Sequence, residues 1–258
     1  MWTAGVIVAL VLSAAIGLSL GLVGGGGSII TVPILVYVAG LPVPRAVALS
    51  LAIVGATSAV GAVLQAREGQ VHLKAAAVFA VTGMVGALGG ARLTPLVPAP
   101  LLMGLFALLM IAVGLRMVRG QDEAEMPARA ECRLWKCGLA GLGLGVLTGF
   151  LGVGGGFLIV PALLRFAKLS MRQAVATSLL IIAANSASGF LVHLGELQGT
   201  LALGAAFIAV AIAGMLGGLA LARRTRPAGL KVAFGRLSLA VAAFLLVMNA
   251  GPLWRLLT

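Results

Sequence analysis

The sequence predicts an all-α fold, a polytopic helical membrane protein made of two homologous repeats. Hydrophobic residues make up 61% of the 258 residues and charged residues only 9%, whereas soluble domains carry about 25% charged residues. Apolar runs close to the ~20 residues that span a bilayer core recur along the whole chain. In addition, the second half of the chain matches the first after a shift of 128 residues.

The apolar runs predict ten helices, of which two are short. In chain order they are 4–23, 29–40, 45–66, 73–93, 99–118, 135–151, 157–168, 172–194, 200–222 and 230–250. Helices 29–40 and 157–168 are too short to cross a bilayer comfortably at about 1.5 Å per residue, and each follows a run of glycines. The polar segment 119–134 separates a first repeat, 1–118, from a second repeat, 135–258.

The repeat aligns without gaps from residue 21 to residue 93. About two in five of these positions are identical to their partners 128 residues later, including Pro33 with Pro161. The stretches AVALSLAIVGATSAVG (46–61) and AVATSLLIIAANSASG (174–189) overlay directly. Shared apolar composition does not place glycine, proline and serine at the same positions, so we expect two copies of one structural unit.

The positions of the basic residues predict how the two copies are oriented. The most basic loops, 116–136 and 222–236, are expected in the cytoplasm, which makes 119–134 a cytoplasmic linker loop. An even number of crossings must separate these loops, and helices 172–194 and 200–222 supply two. The segment 135–168 must then enter and return on one side, as a hairpin bent at its glycines. The first hairpin opens from the other side, so the repeats are expected to have inverted topologies.

The glycine stretches GLVGGGGSIITVP (21–33) and GFLGVGGGFLIVP (149–161) break helices inside the membrane. Such breaks occur where the backbone is buried in protein or lines a watery cavity. A short helix starts after each break, and its first N–H groups lack helical partners and carry the positive end of the dipole. Two such starts meeting near the midplane predict an anion site, formed by Gly24, Gly26, Gly27, Ser28, Gly152, Gly154, Gly155 and Gly156. The alternative is that these glycines only allow close helix packing.

The helix after each break adds polar side chains to the predicted site. Ser50 and Thr57 are seven residues apart and share a helical face, and Ser178 and Asn185 repeat this spacing in the second half. Thr177 lies next to that stripe. Hydroxyl and amide groups can donate hydrogen bonds to an oxyanion, although Ser and Thr in membrane helices also bond to their own backbone.

The interiors of the predicted spans lack Asp, Glu, Lys and Arg. Ionisable groups there would mark a proton relay or a cation path. We therefore expect no catalytic residue, no metal site, no cofactor and no enzymatic activity. An alternating-access anion transporter is the expected function; a passive anion channel and a cation or metal transporter using backbone carbonyls remain alternatives.

At these residues the sequence resembles the TauE/SafE family of membrane permeases. The resemblance covers about residues 16–95 and 142–222, and rests on the duplicated glycine stretch with its proline and on AVATSLL (174–180). The first half departs from the pattern at AVALSLA, where Leu49 replaces the threonine.

This resemblance implies transport of small sulfur-containing anions, such as sulfite or sulfoacetate, most often by export. It implies a multi-pass protein of the cell (inner) membrane. The expected partners are the anionic solute, the lipid bilayer and a second copy of the chain in a homodimer. Nucleic acid is not expected despite the net charge of +12, because the basic residues lie in short loops between apolar runs.

Overall fold

The computed structural model describes residues 4–25, 27–93, 99–119, 133–151, 156–192 and 201–257. Over these residues the chain forms α1 (Ala4–Val23), α2 (Gly27–Pro33) with a π-helical continuation (Ile34–Val38), α3 (Val43–Arg67), α4 (Leu73–Ala91), α5 (Ala99–Arg119), α6 (Leu134–Leu151), α7 (Gly156–Phe166), α8 (Met171–Val192), α9 (Leu201–Arg224) and α10 (Pro227–Leu257). The predicted all-α class is confirmed, and every predicted helix is present. Only α10 extends well past its predicted end, through Gly251 and Pro252, where we expected the helix to stop.

Several of the described helices are long and apolar enough to cross a membrane. Five carry such segments, of 18 to 23 residues, and they are α3, α4, α8, α9 and α10. The predicted multi-pass location in the cell membrane is therefore supported by the helix lengths.

Each repeat begins with a helical hairpin, as predicted. The glycines predicted at the bend of the second hairpin, Gly152, Gly154 and Gly155, lie outside the described residues. A side-chain carbon added to Gly27 would stand 2.5 Å from the backbone oxygen of Ile16, and one added to Gly5 would stand 2.5 Å from that of Val38. The chain after the break therefore returns along α1. In the second repeat, Sγ of Cys137 near the start of α6 lies 3.8 Å from the backbone oxygen of Phe166 at the end of α7.

The helices of the two halves pack in a symmetrical pattern. The first residues of α3, α4 and α5 lie 128 positions before those of α8, α9 and α10. Helix α3 packs against α8 and α5 against α10, while α1 packs against α9 and α4 against α6. Exchanging the two halves leaves these pairings unchanged, as a pseudo-twofold axis requires.

Helices α3 and α8 cross in opposite directions near the middle of both. The pairs in contact, in order along α3, are Leu51 with Gly189, Gly55 with Ser186, and Gly61 with Leu179. Equivalent helices related by an axis along the membrane normal would run parallel, whereas an axis in the membrane plane makes them antiparallel. The crossing therefore has the direction that an inverted repeat requires.

One end of the bundle, which we call the basic face, is defined by Glu68, Arg172 and Arg223 and the helix ends around them. Arg223 at the end of α9 forms an ion pair with Glu68, which follows α3. The backbone oxygen of Arg223 also accepts a hydrogen bond of 3.2 Å from the guanidinium of Arg172 at the start of α8. These contacts bring together three helix ends that the loop charges place on one side of the membrane.

Cysteine labelling tests this orientation. In a background without the native cysteines, Arg226→Cys at the basic face should react only from the cytoplasm, because cytoplasmic loops collect Lys and Arg. Arg45→Cys, in the first turn of α3 at the other end of the bundle, should react only from outside. Both arginines are exposed, so the two variants are matched. Labelling of both cysteines from one side would contradict the predicted topology.

Candidate functional site

The glycine break of the first repeat meets the start of α7 inside the bundle. A side-chain carbon on Gly25 would overlap the backbone oxygen of Gly156, the first residue of α7, and would stand 2.9 Å from Cα of Phe157. The chain before α2 thus touches the N-terminus of α7 backbone to backbone, and only glycine fits there. The structure therefore brings the helix starts of both repeats together.

Gly24 turns the chain at the end of α1. Its φ of +76° lies in the left-handed region that favours glycine. The single hydroxyl hydrogen of Ser178 is shared between two acceptors, the backbone oxygens of Gly24 (3.1 Å from Oγ) and Val175 (2.8 Å). The Ser178 hydroxyl therefore holds the tip of the first hairpin against α8, and its hydrogen is directed at the protein.

Two further predicted residues make framework contacts. Oγ1 of Thr177 accepts a hydrogen bond of 3.0 Å from the backbone N–H of His72, which joins α8 to the start of α4. Gly27 packs on α1, where an added carbon would stand 2.7 Å from the Leu20 side chain. Ser50 is buried on α3.

Four predicted glycines and the side chain of Ser28 lie outside the described residues; the glycines are Gly26, Gly152, Gly154 and Gly155.

The crossing of α3 and α8 carries buried polar atoms without partners. Thr57 and Ser58 on α3 have no exposed surface, and their hydroxyl oxygens make no hydrogen bond. Oδ1 of Asn185 on α8 is likewise buried and unbonded. All three residues lie within a turn of the contact between Gly55 and Ser186. Unpaired buried polar groups cost about 1–3 kcal/mol each, so a native protein retains few of them without a reason.

Thr57 and Asn185 occupy equivalent positions in the two repeats, 128 residues apart. The unpartnered groups therefore lie on the equivalent helices α3 and α8 of the two repeats. Ser178, which holds the hairpin tip, lies two helical turns before Asn185 on the same face of α8. The polar crossing and the paired glycine breaks are thus neighbouring parts of one region.

A cavity of about 60 Å³ extends from the basic face toward the first glycine break. Arg172 and Arg223 line its mouth, and Gly21 and Val175 are among its other walls. Cα of Val175 is 3.0 Å from the position of a side-chain carbon on Gly24. The cavity therefore extends from the arginines to Val175, which packs against the backbone turn at Gly24.

The charged residues of this cavity lie at the basic face. Arg223 is paired with Glu68, the acidic residue among the described residues of the cavity wall. Arg172 therefore leaves a net positive charge there, which attracts anions. The positions equivalent to Arg172 and Arg223 in the first repeat are Pro44 and Pro95. Within the described residues, no group of three or more His, Cys, Asp or Glu side chains could hold a metal ion.

The site predicted from the sequence leaves out three features of this region. Gly25 contacts the backbone of Gly156. Its equivalent in the second repeat is Val153, so the repeat pattern does not indicate that glycine is required at this position. Ser58 is matched by Ser186 in the second repeat, and that identity is a usable signal. The arginines at the cavity mouth are indistinguishable in sequence from other basic residues of cytoplasmic loops.

Comparison with known proteins gives a consistent result. Residues 9–245 match the family described as Sulfite exporter TauE/SafE. Two Xylella fastidiosa proteins, from strains 9a5c and Temecula1, are each named probable membrane transporter protein. Both are 37% identical to this chain over 171 residues, 65% of this chain and 66% of their own length.

A more distant relative is similar over a slightly longer region. Bacillus subtilis strain 168 YdhB, also named probable membrane transporter protein, is 29% identical over 185 residues, 70% of this chain and 76% of that protein. The match to the Xylella proteins spans slightly less than two thirds of their length. No solved structure matches the chain significantly.

Proposed function

Because this chain belongs to the TauE/SafE sulfite exporter family of membrane transporters, we propose that it exports a small oxyanion, a sulfur oxyanion or an organosulfonate. The observation that carries the proposal is the set of unpartnered polar atoms of Thr57, Ser58 and Asn185, buried where α3 crosses α8. A transported ligand would supply the hydrogen bonds that these atoms lack.

The chemistry of these side chains favours an anion. The hydroxyls of Thr57 and Ser58 rotate freely and can each donate one hydrogen bond. The amide of Asn185 carries two donors on Nδ2, and half a turn about its Cβ–Cγ bond exchanges Oδ1 for Nδ2 in the same volume. Hydrogen bonds to an ionised acceptor are roughly twice as strong as neutral ones. The start of α7 adds the positive end of a helix dipole.

We propose that transport follows alternating access around this region. The antiparallel crossing of α3 and α8 supports a twofold axis in the membrane plane, which would let one structural unit open toward either face. The hydrogen bond from Ser178 to Gly24 would close the path between the cavity and the crossing. Its release would allow the hairpin tip to move away from α8.

The asymmetry of charge supports a proposal for the direction of transport. The arginine-lined mouth at the basic face would collect an anion from the cytoplasm, whereas the sequence of the first repeat has prolines at the equivalent positions. Export is therefore the direction that we propose.

Saturable counterflow of labelled sulfite in proteoliposomes would support a transporter, and an ohmic current without saturation would support a passive channel instead.

Two substitutions of Asn185 test the sign of the ligand's charge. Asn185→Leu should raise the Kd for sulfite by about ten- to a hundredfold, because one charge-assisted hydrogen bond is lost. Asn185→Asp should bind more weakly still, since a carboxylate repels an anion in a low-dielectric interior. The measurement is sulfite binding to the purified protein by calorimetry.

The matched control is Ser188→Ala, an exposed position on the same helix whose hydroxyl already donates to the backbone oxygen of Asn185 at 2.8 Å. This variant should bind sulfite normally. Tighter anion binding by Asn185→Asp than by Asn185→Leu, or binding of a divalent metal by the wild type, would contradict the assignment of this region as an anion site.

A further inference from the structure

A second cavity lies on the basic face, between the start of α6 and the end of α7. Its volume is about 700 Å³, and we call it the α6–α7 groove. Four cationic side chains line it, and they are Arg133, Lys136, Arg165 and Lys168. Among the described residues, no acidic side chain is in its wall. All four cationic residues are exposed. Such a concentration of positive charge attracts anions.

The rim of the groove is apolar and exposed. Trp135 is 62% exposed, Leu139 61% and Phe166 43%. Nζ of Lys136 lies 5.5 Å from the centre of the Trp135 ring, within range of a cation–π interaction. Tryptophan is enriched where the headgroup region of a membrane meets its acyl chains. The groove therefore combines anion-binding groups with surface suited to acyl chains.

Lys168 has an unusual backbone conformation at the edge of this groove. Its φ is +50°, which is unfavourable for every residue that has a Cβ. No other non-glycine residue that the structure describes has a positive φ. The equivalent position in the first repeat is Gly40, with a φ of +68°. The second repeat thus carries a strained lysine where its own duplicate uses glycine. Backbone strain of this kind is concentrated at functional sites of proteins.

The first repeat also shows that the hairpin itself does not require the other cations. The positions equivalent to Arg133, Lys136 and Arg165 are Gly5, Val8 and Tyr37. The general excess of basic residues in cytoplasmic loops explains charge on this face. It does not explain why four cations share one cavity, nor why one of them occupies a left-handed position.

We propose that the α6–α7 groove binds the phosphate headgroup of an anionic phospholipid in the adjacent leaflet, with the acyl chains along Trp135 and Leu139. Basic pockets between membrane helices on the cytoplasmic side suit such headgroups. A free inorganic anion would use the four cations but would leave the apolar rim exposed. This lipid site is independent of the proposed transport path.

The test compares phosphatidylglycerol with phosphatidylcholine on the purified full chain, by native mass spectrometry and by thermal unfolding. Wild type should bind phosphatidylglycerol preferentially and unfold at a higher temperature with it. Lys168→Gly relieves the backbone strain, so it should be as stable as wild type in phosphatidylcholine. It should nevertheless bind phosphatidylglycerol about fivefold more weakly.

Further variants make the test decisive. Combining Lys136→Gln, Arg165→Gln and Lys168→Gly should weaken phosphatidylglycerol binding by about a hundredfold, roughly fivefold per cation. Arg236→Gln, an exposed arginine of the basic face outside the groove, is the matched control and should bind normally. Equal binding of both lipids, or unchanged binding by the triple variant, would overturn the proposal. If millimolar glycerol phosphate displaced bound phosphatidylglycerol as effectively as added lipid does, the site would be one for a soluble anion. That result would also overturn the proposal.

Discussion

Gly24→Ala should abolish transport, whereas Gly40→Ala should retain most of it. Both glycines have a left-handed backbone, with φ of +76° and +68°, so alanine introduces a comparable strain of about 1–2 kcal/mol at each. Their surroundings differ. A side-chain carbon on Gly24 would stand 2.5 Å from Oγ of Ser178 and 3.0 Å from Cα of Val175, while one on Gly40 has nothing within 4 Å.

Because both variants introduce a similar backbone strain, a difference in transport between them reports the effect of the close contact between the hairpin tip and α8. The measurement is sulfite efflux from proteoliposomes, with membrane insertion and a single elution peak confirmed for each variant. Gly25→Ala, which would overlap the backbone oxygen of Gly156, should behave like Gly24→Ala. From the sequence pattern, Gly26→Val and Gly154→Val are expected to do the same. Normal transport by Gly24→Ala would mean that the solute path lies elsewhere.

Thr57→Val should change stability and binding in opposite directions. Valine has nearly the same shape as threonine, and the Thr57 hydroxyl is fully buried with no hydrogen-bond partner. Removing an unpaired hydroxyl from the interior should stabilise the protein by about 1–3 kcal/mol. Sulfite binding should weaken by about tenfold or more, because a donor to the anion is lost. Thermal unfolding and calorimetric titration of the same sample measure both effects.

Thr31→Val is the matched control for stability. Thr31 is also fully buried, but its Oγ1 donates a hydrogen bond of 2.7 Å to the backbone oxygen of Gly27. Its replacement by valine should therefore lower stability. A loss of stability in Thr57→Val similar to that in Thr31→Val would show that the Thr57 hydroxyl serves the fold and not a ligand.

The sequence by itself determined the helical class, the helix order and the two glycine hairpins. Hydropathy and helix length act locally along the chain, so the apolar runs fix which segments are helical and which are too short to span. The charges of the loops require the ends of α3 and α9 and the start of α8 to share a face, and the contacts of Arg223 with Glu68 and Arg172 agree. Glycine and proline at matched positions revealed the duplicated unit.

Only the tertiary structure decided what each polar side chain of the candidate site does. Ser178 and Thr57 look alike in the repeat pattern, yet Ser178 bonds to the backbone oxygen of Gly24, 154 residues away, and Thr57 has no partner. Thr177 accepts a hydrogen bond from His72, 105 residues away. The partner of a buried hydroxyl depends on which distant backbone packs within about 3 Å of it. That distance is set by the packing of helices from both halves, which no local property of the chain encodes.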